Sequence, residues 1–377
     1  MRIALVVPGG VDRSGRERVV PVLLWLVERL ARRHDVHVVV LDYYAEPCTY
    51  PLLGATVHDV GRVTGPPGFR RVRLAKRLSE VMARIGAVDI VHAYWGMPAG
   101  VVAVPIARRL GVPIVVTLSS GELVRHANIR YGLQRRWIDR RAIAHTVKHA
   151  TAITVPTAYM ARLLTEHAGP APAARAQAMD ATVIPMGIDT TQFVVGHRSE
   201  GPPWRLIRVG SVNAVKDIPT LLHAMAALPP DVALDIVGED TLGGAMQLLT
   251  SQLGIERRVT FHGWQPTDRI AGLFGAAHLN IVSSIHEASN VTMLEAACAG
   301  VPTVGTAVGY VADWHPDRAV AVPVGDPRAL ADAITALLHD PARRTMLADA
   351  ARRWTLAHDA DWTASAFESL FTRIIRG

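Results

Sequence analysis

The chain has 377 residues, 50% of them hydrophobic, with a formal net charge of +7 and a sequence pI of about 9.8. That length suits roughly two or three domains with sizeable cores, which excludes a disordered or fibrous chain. Two cysteines, Cys48 and Cys298, exclude a disulfide framework and a four-thiolate zinc centre and fit a reducing compartment, while the arginine-rich balance favours phosphates, anionic headgroups or nucleic acid as partners.

In chain order, MRIALVVPGG carries one basic residue and an apolar run too short for a signal-peptide core, and reads as a strand over 3–7 followed by a turn at Gly9 and Gly10. No apolar run reaches the roughly 18 residues of a membrane span, so a soluble or peripheral protein is expected. A helix over 19–30 and a strand over 36–41 follow, then a polar passage to Gly68 and a basic amphipathic helix over 70–85. Strands over 89–92 and 113–118 flank a helix ending at Leu110. A helix over 138–149 and strands over 152–155 and 182–185 complete the first half, and Ala168 to Asp180, rich in Ala and Pro, reads as a surface loop. His197 to Pro203, HRSEGPP, has the composition of a boundary, and the alternation restarts at 206–209. Helices over 217–228, 245–253 and 268–277 then alternate with strands over 233–237 and 259–262. This βα alternation predicts doubly wound parallel sheets.

Ser283 to Gly309, SSIHEASNVTMLEAACAGVPTVGTAVG, reads as a strand end, a polar loop, a helix capped by Asn290, a turn at Gly300 and a strand over 301–304. Glu287 lies in the loop and Glu295 on the helix, beyond the carboxyl end of a strand, where open α/β sheets bind ligands and a helix start offers N–H groups to an anion. On spacing alone Glu287 reads more readily as a solvated loop acid and Glu295 as a helix-surface acid. Gly9 and Gly10 are a tight turn or a phosphate turn, and without G-x-G-x-x-G a dinucleotide-redox reading loses its support. GSVNAVKD, Gly210 to Asp217, again joins strand to helix and ends in a lysine, Lys216, able to meet a leaving diphosphate as a point charge. No metal site is evident: Asp359 and Asp361 are explained by helix capping.

Arg70, Arg71, Arg73, Lys76 and Arg77, beside Val72, Leu74, Leu78, Val81 and Met82, make a helix that either packs on the core with a solvated face or sits on anionic lipid. Arg135, Arg136, Arg140 and Arg141 form a second basic run.

The Glu287 to Glu295 stretch resembles the Glu-x7-Glu signature of the retaining, nucleotide-sugar-dependent glycosyltransferases of family 4. DIVHAYWG, VIPMGID, VGSVNAVKD, DIVGED, FHGW and GVPTVGT agree with it in order and spacing. The resemblance implies a GT-B fold, two Rossmann-like domains facing across a cleft, with an acceptor-side domain over 1–195, a nucleotide-sugar domain over 202–356 and a terminal helix over 357–377 crossing back to the first. It implies retaining, metal-independent transfer of a sugar, hexosyl in type, from a UDP- or GDP-sugar to a hydroxyl acceptor, in cell-surface polysaccharide, glycolipid or small-metabolite glycosylation. Glu287 then faces the sugar, Glu295 the ribose and Lys216 the diphosphate. Gly9, Gly10, Gly210 and Ser211 lie at the phosphates, Trp264 at the base, and the backbone of Asn290, Val291 and Thr292 at sugar or phosphate.

His92, Trp95, Ser119 and Glu122 are acceptor-side candidates. Ser211 stands where relatives carry Arg, with Arg208 a nearby substitute; Ser289 and Asn290 replace Phe-Gly, and Ser119 replaces His. No cofactor beyond the donor is implied. A cytoplasmic location is expected, with peripheral contact to the inner membrane face. Two alternatives stand beside this reading: a nucleotide-sugar epimerase of the same architecture and a non-catalytic basic binding protein. A nucleic-acid partner is not expected, since no helix-turn-helix, RNP or zinc-finger pattern is present.

Overall fold

The computed structural model describes residues 1–167 and 180–377. Of the surface loop expected over 168–180, all but Asp180 lies outside the described residues. The chain divides into two compact units, residues 1–186 with 360–377 and residues 187–359.

In the first unit β1 (Arg2–Val7), β2 (Asp35–Val40), β3 (Cys48–Leu52), β4 (Ala55–Asp59), β5 (Ile90–Tyr94), β6 (Ile114–Thr117), β7 (Ala152–Val155) and β8 (Thr182–Val183) form one sheet in the order β3-β4-β2-β1-β5-β6-β7-β8. All neighbours are parallel except β3 and β4. The central strands are buried on both faces, as helix-covered parallel sheets require, and their sequences are near-continuous apolar runs. Between β2 and β5 the strand order reverses about β1, the place where such sheets take ligands.

The polar passage up to Gly68, in which no element is expected from the sequence, contains the β3–β4 hairpin. Its turn, Leu53 (φ 51°) and Gly54 (φ 83°), places both residues in the left-handed region that hairpin turns demand, but a leucine in the first position hides the usual Asn-Gly signal. Pro51 is tolerated because β3 is the sheet edge.

The last helix, Ala360–Arg376, is part of the first unit. Ala364, Phe367, Leu370 and Phe371 make a buried stripe at helical spacing, and Glu368 pairs with Arg33 at 2.8 Å. In the basic helix Pro67–Ile85, Leu74, Leu78, Val81 and Met82 face the core as expected, but Val72 is 69% exposed. Arg70 pairs with Asp42, and Arg73 and Arg77 donate to the carbonyls of Thr64 (3.1 Å) and Val60 (2.6 Å), so three of its five cations hold their own surroundings. Among the described residues no helix is long and apolar enough to cross a membrane.

The second unit carries β9 (Trp204–Val209), β10 (Val232–Val237), β11 (Val259–Gly263), β12 (Leu279–Val282), β13 (Thr303–Thr306) and β14 (Ala319–Val322), in the all-parallel order β11-β10-β9-β12-β13-β14. Leu206, Leu221, Leu222, Leu234, Ile281, Val304, Leu330 and Ile334 fill its core. Its order reverses about β9. The unit begins at Gly187, so the boundary composition at 197–203 lies inside it. The cause is packing: Arg198 donates to the carbonyls of Ala277, Ala299 and Gly300 at 2.8–3.0 Å, Phe193 is buried beside Phe274, and a Cβ on Gly196 would stand 2.4 Å from the Cα of Gly275.

Candidate active site

At the switch point of the second sheet, the loops leaving β9 and β12 lie side by side. Asn213 accepts from the N–H groups of Val215 and Lys216, closing a short turn over Ala214–Lys216, and Asp217 caps the following helix Ile218–Ala227. The β12 loop is stitched to that turn by the Ser283 hydroxyl donating to the Lys216 carbonyl (2.8 Å) and by the Ile285 N–H donating to the Val215 carbonyl (2.8 Å). Lys216 Nζ therefore reaches Glu287 Oε1 at 2.5 Å, and the Ser284 hydroxyl donates to the same oxygen at 2.6 Å. Burial works to raise the Glu287 pKa, but Lys216, the Ser284 hydroxyl and Arg208 outweigh it and hold the carboxyl below its ordinary value. Gly309 (φ 51°) lets the chain pass beneath this loop, since a Cβ there would stand 3.0 Å from the Glu287 Cβ.

Arg208 lies under the same turn. Its side chain is buried and donates to the carbonyls of Gly210 and Ser211, the latter at 3.0 Å. Burial pushes the guanidinium down to about 10, with Glu287 acting in the opposite direction, so it stays charged at neutral pH. Gly210 and Gly238 extend the ladder past the strands: Gly210 N–H donates to the Val237 carbonyl and Gly238 N–H to the Gly263 carbonyl, both at 2.8 Å. A Cβ on Gly238 would overlap the Gly210 carbonyl oxygen at 2.0 Å. This shelf ends at Trp264, 69% exposed just beyond β11.

The helix after the β12 loop is shorter than expected, Thr292–Cys298, and Val291 rather than Asn290 precedes it. Asn290 adopts φ 70°, and its side-chain oxygen accepts from the Thr292 hydroxyl at 2.7 Å instead of capping the backbone. The N–H groups of Asn290, Val291 and Thr292 have no hydrogen-bond partner among the described residues. Neither does the half-buried Glu295 carboxylate, and burial alone pushes its pKa up to about 7.

In the first unit a cavity of about 560 Å³ opens at the carboxyl ends of β1, β5 and β6, lined among others by Pro8, Trp95, Glu122, Arg130, Tyr131 and Arg136. Trp95 (φ 77°) donates from Nε1 to the Ser119 carbonyl at 3.3 Å, and Ser119 itself stands outside the lining. Glu122 is buried and spends both oxygens on backbone, accepting from Gly96 N–H (3.0 Å) and Ser120 N–H (2.7 Å). Burial raises its pKa against these bonds.

His92 corrects the acceptor-side expectation. Its strand runs on to Tyr94, which puts the imidazole in the core at 0% exposure, 2.7 Å from the Thr117 hydroxyl and packed on Phe367 and Phe371. Burial pushes it down to about 3, so it is neutral. Gly9 and Gly10 are fixed by packing as well: a Cβ would meet the Tyr43 ring at 2.8 Å in one case and Val20 at 2.7 Å in the other, where φ is +83°. Among the described residues no group of three or more His, Cys, Asp or Glu side chains is arranged to hold a metal ion.

Residues 189–354 match the family described as Glycosyl transferases group 1, and residues 19–192 match Glycosyltransferase Family 4. The chain belongs to the family 4 glycosyltransferases. A D-inositol 3-phosphate glycosyltransferase of Arthrobacter sp. (strain FB24) is 28% identical over 325 residues, covering 78% of this chain and 75% of the relative. Sucrose-phosphate synthase from Thermosynechococcus elongatus aligns over 100% of both chains with a TM-score of 0.83 and 20% identity. HepE of Anabaena, solved with UDP-glucose, aligns over 98% of this chain and 99% of its own, with a TM-score of 0.73 and 17% identity. The two structural likenesses show the fold, which is GT-B with two parallel-sheet Rossmann-like domains.

In this glycosyltransferase several residues that shape the site carry no motif of their own. Ser284, Gly238 and Gly309 act through contacts that only the folded sheet creates; Arg136 reaches the first unit's cavity from a stretch legible in sequence only as a basic run, and Arg130 from outside that run. The Ser-Ser pair leaving β12 is the one available signal for Ser284.

Proposed function

We propose that this glycosyltransferase moves a sugar from a UDP- or GDP-sugar to a hydroxyl acceptor with retention and without a metal ion. The observation that carries the reading is the Lys216–Glu287 pair at the second sheet's switch point, followed in the chain by three N–H groups and the Glu295 carboxylate that have no partner among the described residues. Glu295 accepts from ribose hydroxyls, and Trp264 lies against the base. Lys216, the N–H groups of Asn290, Val291 and Thr292, and the Gly210–Ser211 turn stabilise the departing diphosphate as charge develops on it. With donor bound, Lys216 turns from Glu287 toward phosphate, which frees Glu287 to orient the sugar hydroxyls. The acceptor hydroxyl attacks the anomeric carbon on the face the diphosphate leaves, the C–O bond to phosphate breaks, and the hydroxyl proton passes to the departing phosphate oxygen. No separate general base is needed. The donor in the HepE structure makes UDP-glucose the first one to try.

A thermal-shift screen with UDP, GDP, ADP and their sugars tests the donor reading. A nucleotide at ~100 times its dissociation constant adds about 2.7 kcal/mol of stability, and Glu295→Ala should abolish that gain. No shift with any nucleotide overturns the reading.

Peripheral contact with an anionic membrane through Arg71, Lys76 and the exposed Phe69 and Val72 belongs to the same proposal. Substituting these four should release the protein from anionic vesicles in sedimentation, and unchanged sedimentation removes that contact.

A further inference from the structure

Two cations act on the Glu287 carboxylate, and they are held in opposite ways. Lys216 reaches Oε1 at 2.5 Å on a flexible stem, and its side chain is 23% exposed. Arg208 is 3% exposed. Its fork donates to the carbonyls of Gly210 and Ser211, the latter at 3.0 Å, which pins the guanidinium under the turn. It lies against the open face of Gly210 (φ 128°), where a Cβ would stand 3.6–3.8 Å from three guanidinium atoms. Lys216 is free to swing away from the carboxylate, and Arg208 is not.

Arg208 makes no ion pair with a carboxylate among the described residues. A buried guanidinium without a contacting counterion is costly, and carbonyl dipoles return only part of its lost hydration. The turn above it brings no cation of its own before Lys216, since Ser211 is exposed and neutral. The charged and titratable groups on the elements packed around Glu287 are few. β9 brings Arg208, the turn after it Lys216 and Asp217, and the β12 loop His286. Helix Thr292–Cys298 brings Glu295, and helix Gly309–Trp314 brings Tyr310 and Asp313. Lys216 and Arg208 are the cations that hold the Glu287 carboxyl down against burial.

In the donor-binding reading above, Lys216 turns to the diphosphate when the donor arrives. That move takes the nearer cation from a buried carboxylate, and a carboxylate left alone at such burial takes up a proton. Protonation would halve its capacity to accept from sugar hydroxyls.

We propose that Arg208 is a positioning residue that keeps Glu287 ionised once Lys216 has moved to the donor's diphosphate. Its charge stays beneath the turn throughout, and its two carbonyl bonds hold Gly210 and Ser211 in place while Lys216 moves. The inference rests on the donor reading and adds to it a residue that touches neither sugar nor phosphate.

The test is calorimetric titration of the full chain with UDP-glucose and GDP-mannose near pH 6, in buffers of different ionisation enthalpy, which counts the protons taken up per donor bound. In the unsubstituted protein Glu287 contributes none, so Glu287→Gln should leave the count unchanged. Arg208→Gln should raise the count by up to about one proton per donor, and adding Glu287→Gln should cancel that rise. Arg208→Lys, which keeps the charge, should keep the original count. A purely structural Arg208 would lower melting temperature and donor affinity while leaving the count where it was.

The proposal falls if Arg208→Gln takes up no more protons than the unsubstituted protein, or if the excess survives Glu287→Gln. Should Arg208→Gln fail to fold, the first comparison decides. A count that drops on Glu287→Gln alone means that Glu287 is protonated by donor binding despite Arg208, and overturns the proposal; an unchanged count supports it. These failures leave the donor reading intact. Binding of neither nucleotide sugar by the unsubstituted protein sinks the donor reading and this inference with it.

Discussion

The two sheets reverse strand order about β1 and β9 and carry their loops at equivalent ends, yet they load those loops differently. In the second unit the ionisable motif residues face one another across two loops, and backbone N–H groups are left open beside them. In the first unit the motif residues are consumed by the scaffold: His92 by the core, Gly9 and Gly10 by Tyr43 and Val20, Glu122 by two backbone N–H groups. Its free charges are arginines from a loop with no motif. The same topological position thus supplies a site built from paired charges in one case and from surplus charge in the other. A motif match gives a residue's address and says nothing of whether its polar atoms are already spent.

The largest expected effect breaks the first unit. Phe367→Ala removes a fully buried ring beneath which His92 sits, and should cost about 3–5 kcal/mol of stability; a loss under ~1 kcal/mol by denaturant unfolding would show that the terminal helix adds little to that core. Next comes a paired test of the contrast itself. Glu287→Gln should lower kcat by about 10²–10³-fold, since it touches charge at the reacting centre, with a smaller drop in melting temperature as the Lys216 pair is lost. Glu122→Gln, which forfeits acceptance from Gly96 or Ser120, should instead lower melting temperature with a smaller loss of kcat. The reverse outcome would mean the two units have been assigned the wrong way round.

A smaller effect concerns Glu295, whose carboxyl is pushed from 4.5 to about 7 by burial. Between those values the folded state keeps a proton that the unfolded state has lost, so Glu295 subtracts stability progressively as pH rises through the window. Glu295→Gln should therefore raise the melting temperature at pH 8 and leave it unchanged at pH 4. Donor affinity of the unsubstituted enzyme should strengthen as pH climbs through about 7, because the ionised carboxylate is the better acceptor for ribose hydroxyls. A flat affinity profile from pH 5.5 to 8.5 would remove Glu295 from the ribose.

Much of the fold was legible from residues alone, because hydrophobic periodicity and glycine or proline punctuation are local signals. The parallel strands and most helices fall within a few residues of their expected places. Three misreadings share a cause. The β3–β4 hairpin has a leucine where a turn signal normally stands, the strand expected to end at His92 runs two residues further, and 197–203 has a linker's composition while Arg198 is bonded to three carbonyls of the unit that such a linker would precede. In each case a distant partner overrides the local pattern.

By itself the sequence determined the alternation of strands and helices, the glycine turns at their carboxyl ends, and the family through Glu287, Glu295 and Lys216. Only the tertiary structure decided that Lys216 and Glu287, 71 residues apart, form one pair, that Arg208 lies buried beneath them, and that Arg130 and Arg136 share a cavity with Trp95. The physical reason is that periodicity is set within a few turns of chain, whereas burial and charge pairing depend on which loops the parallel sheet order brings together. In this chain that order places β9 against β12, across the whole of β10 and β11 in sequence.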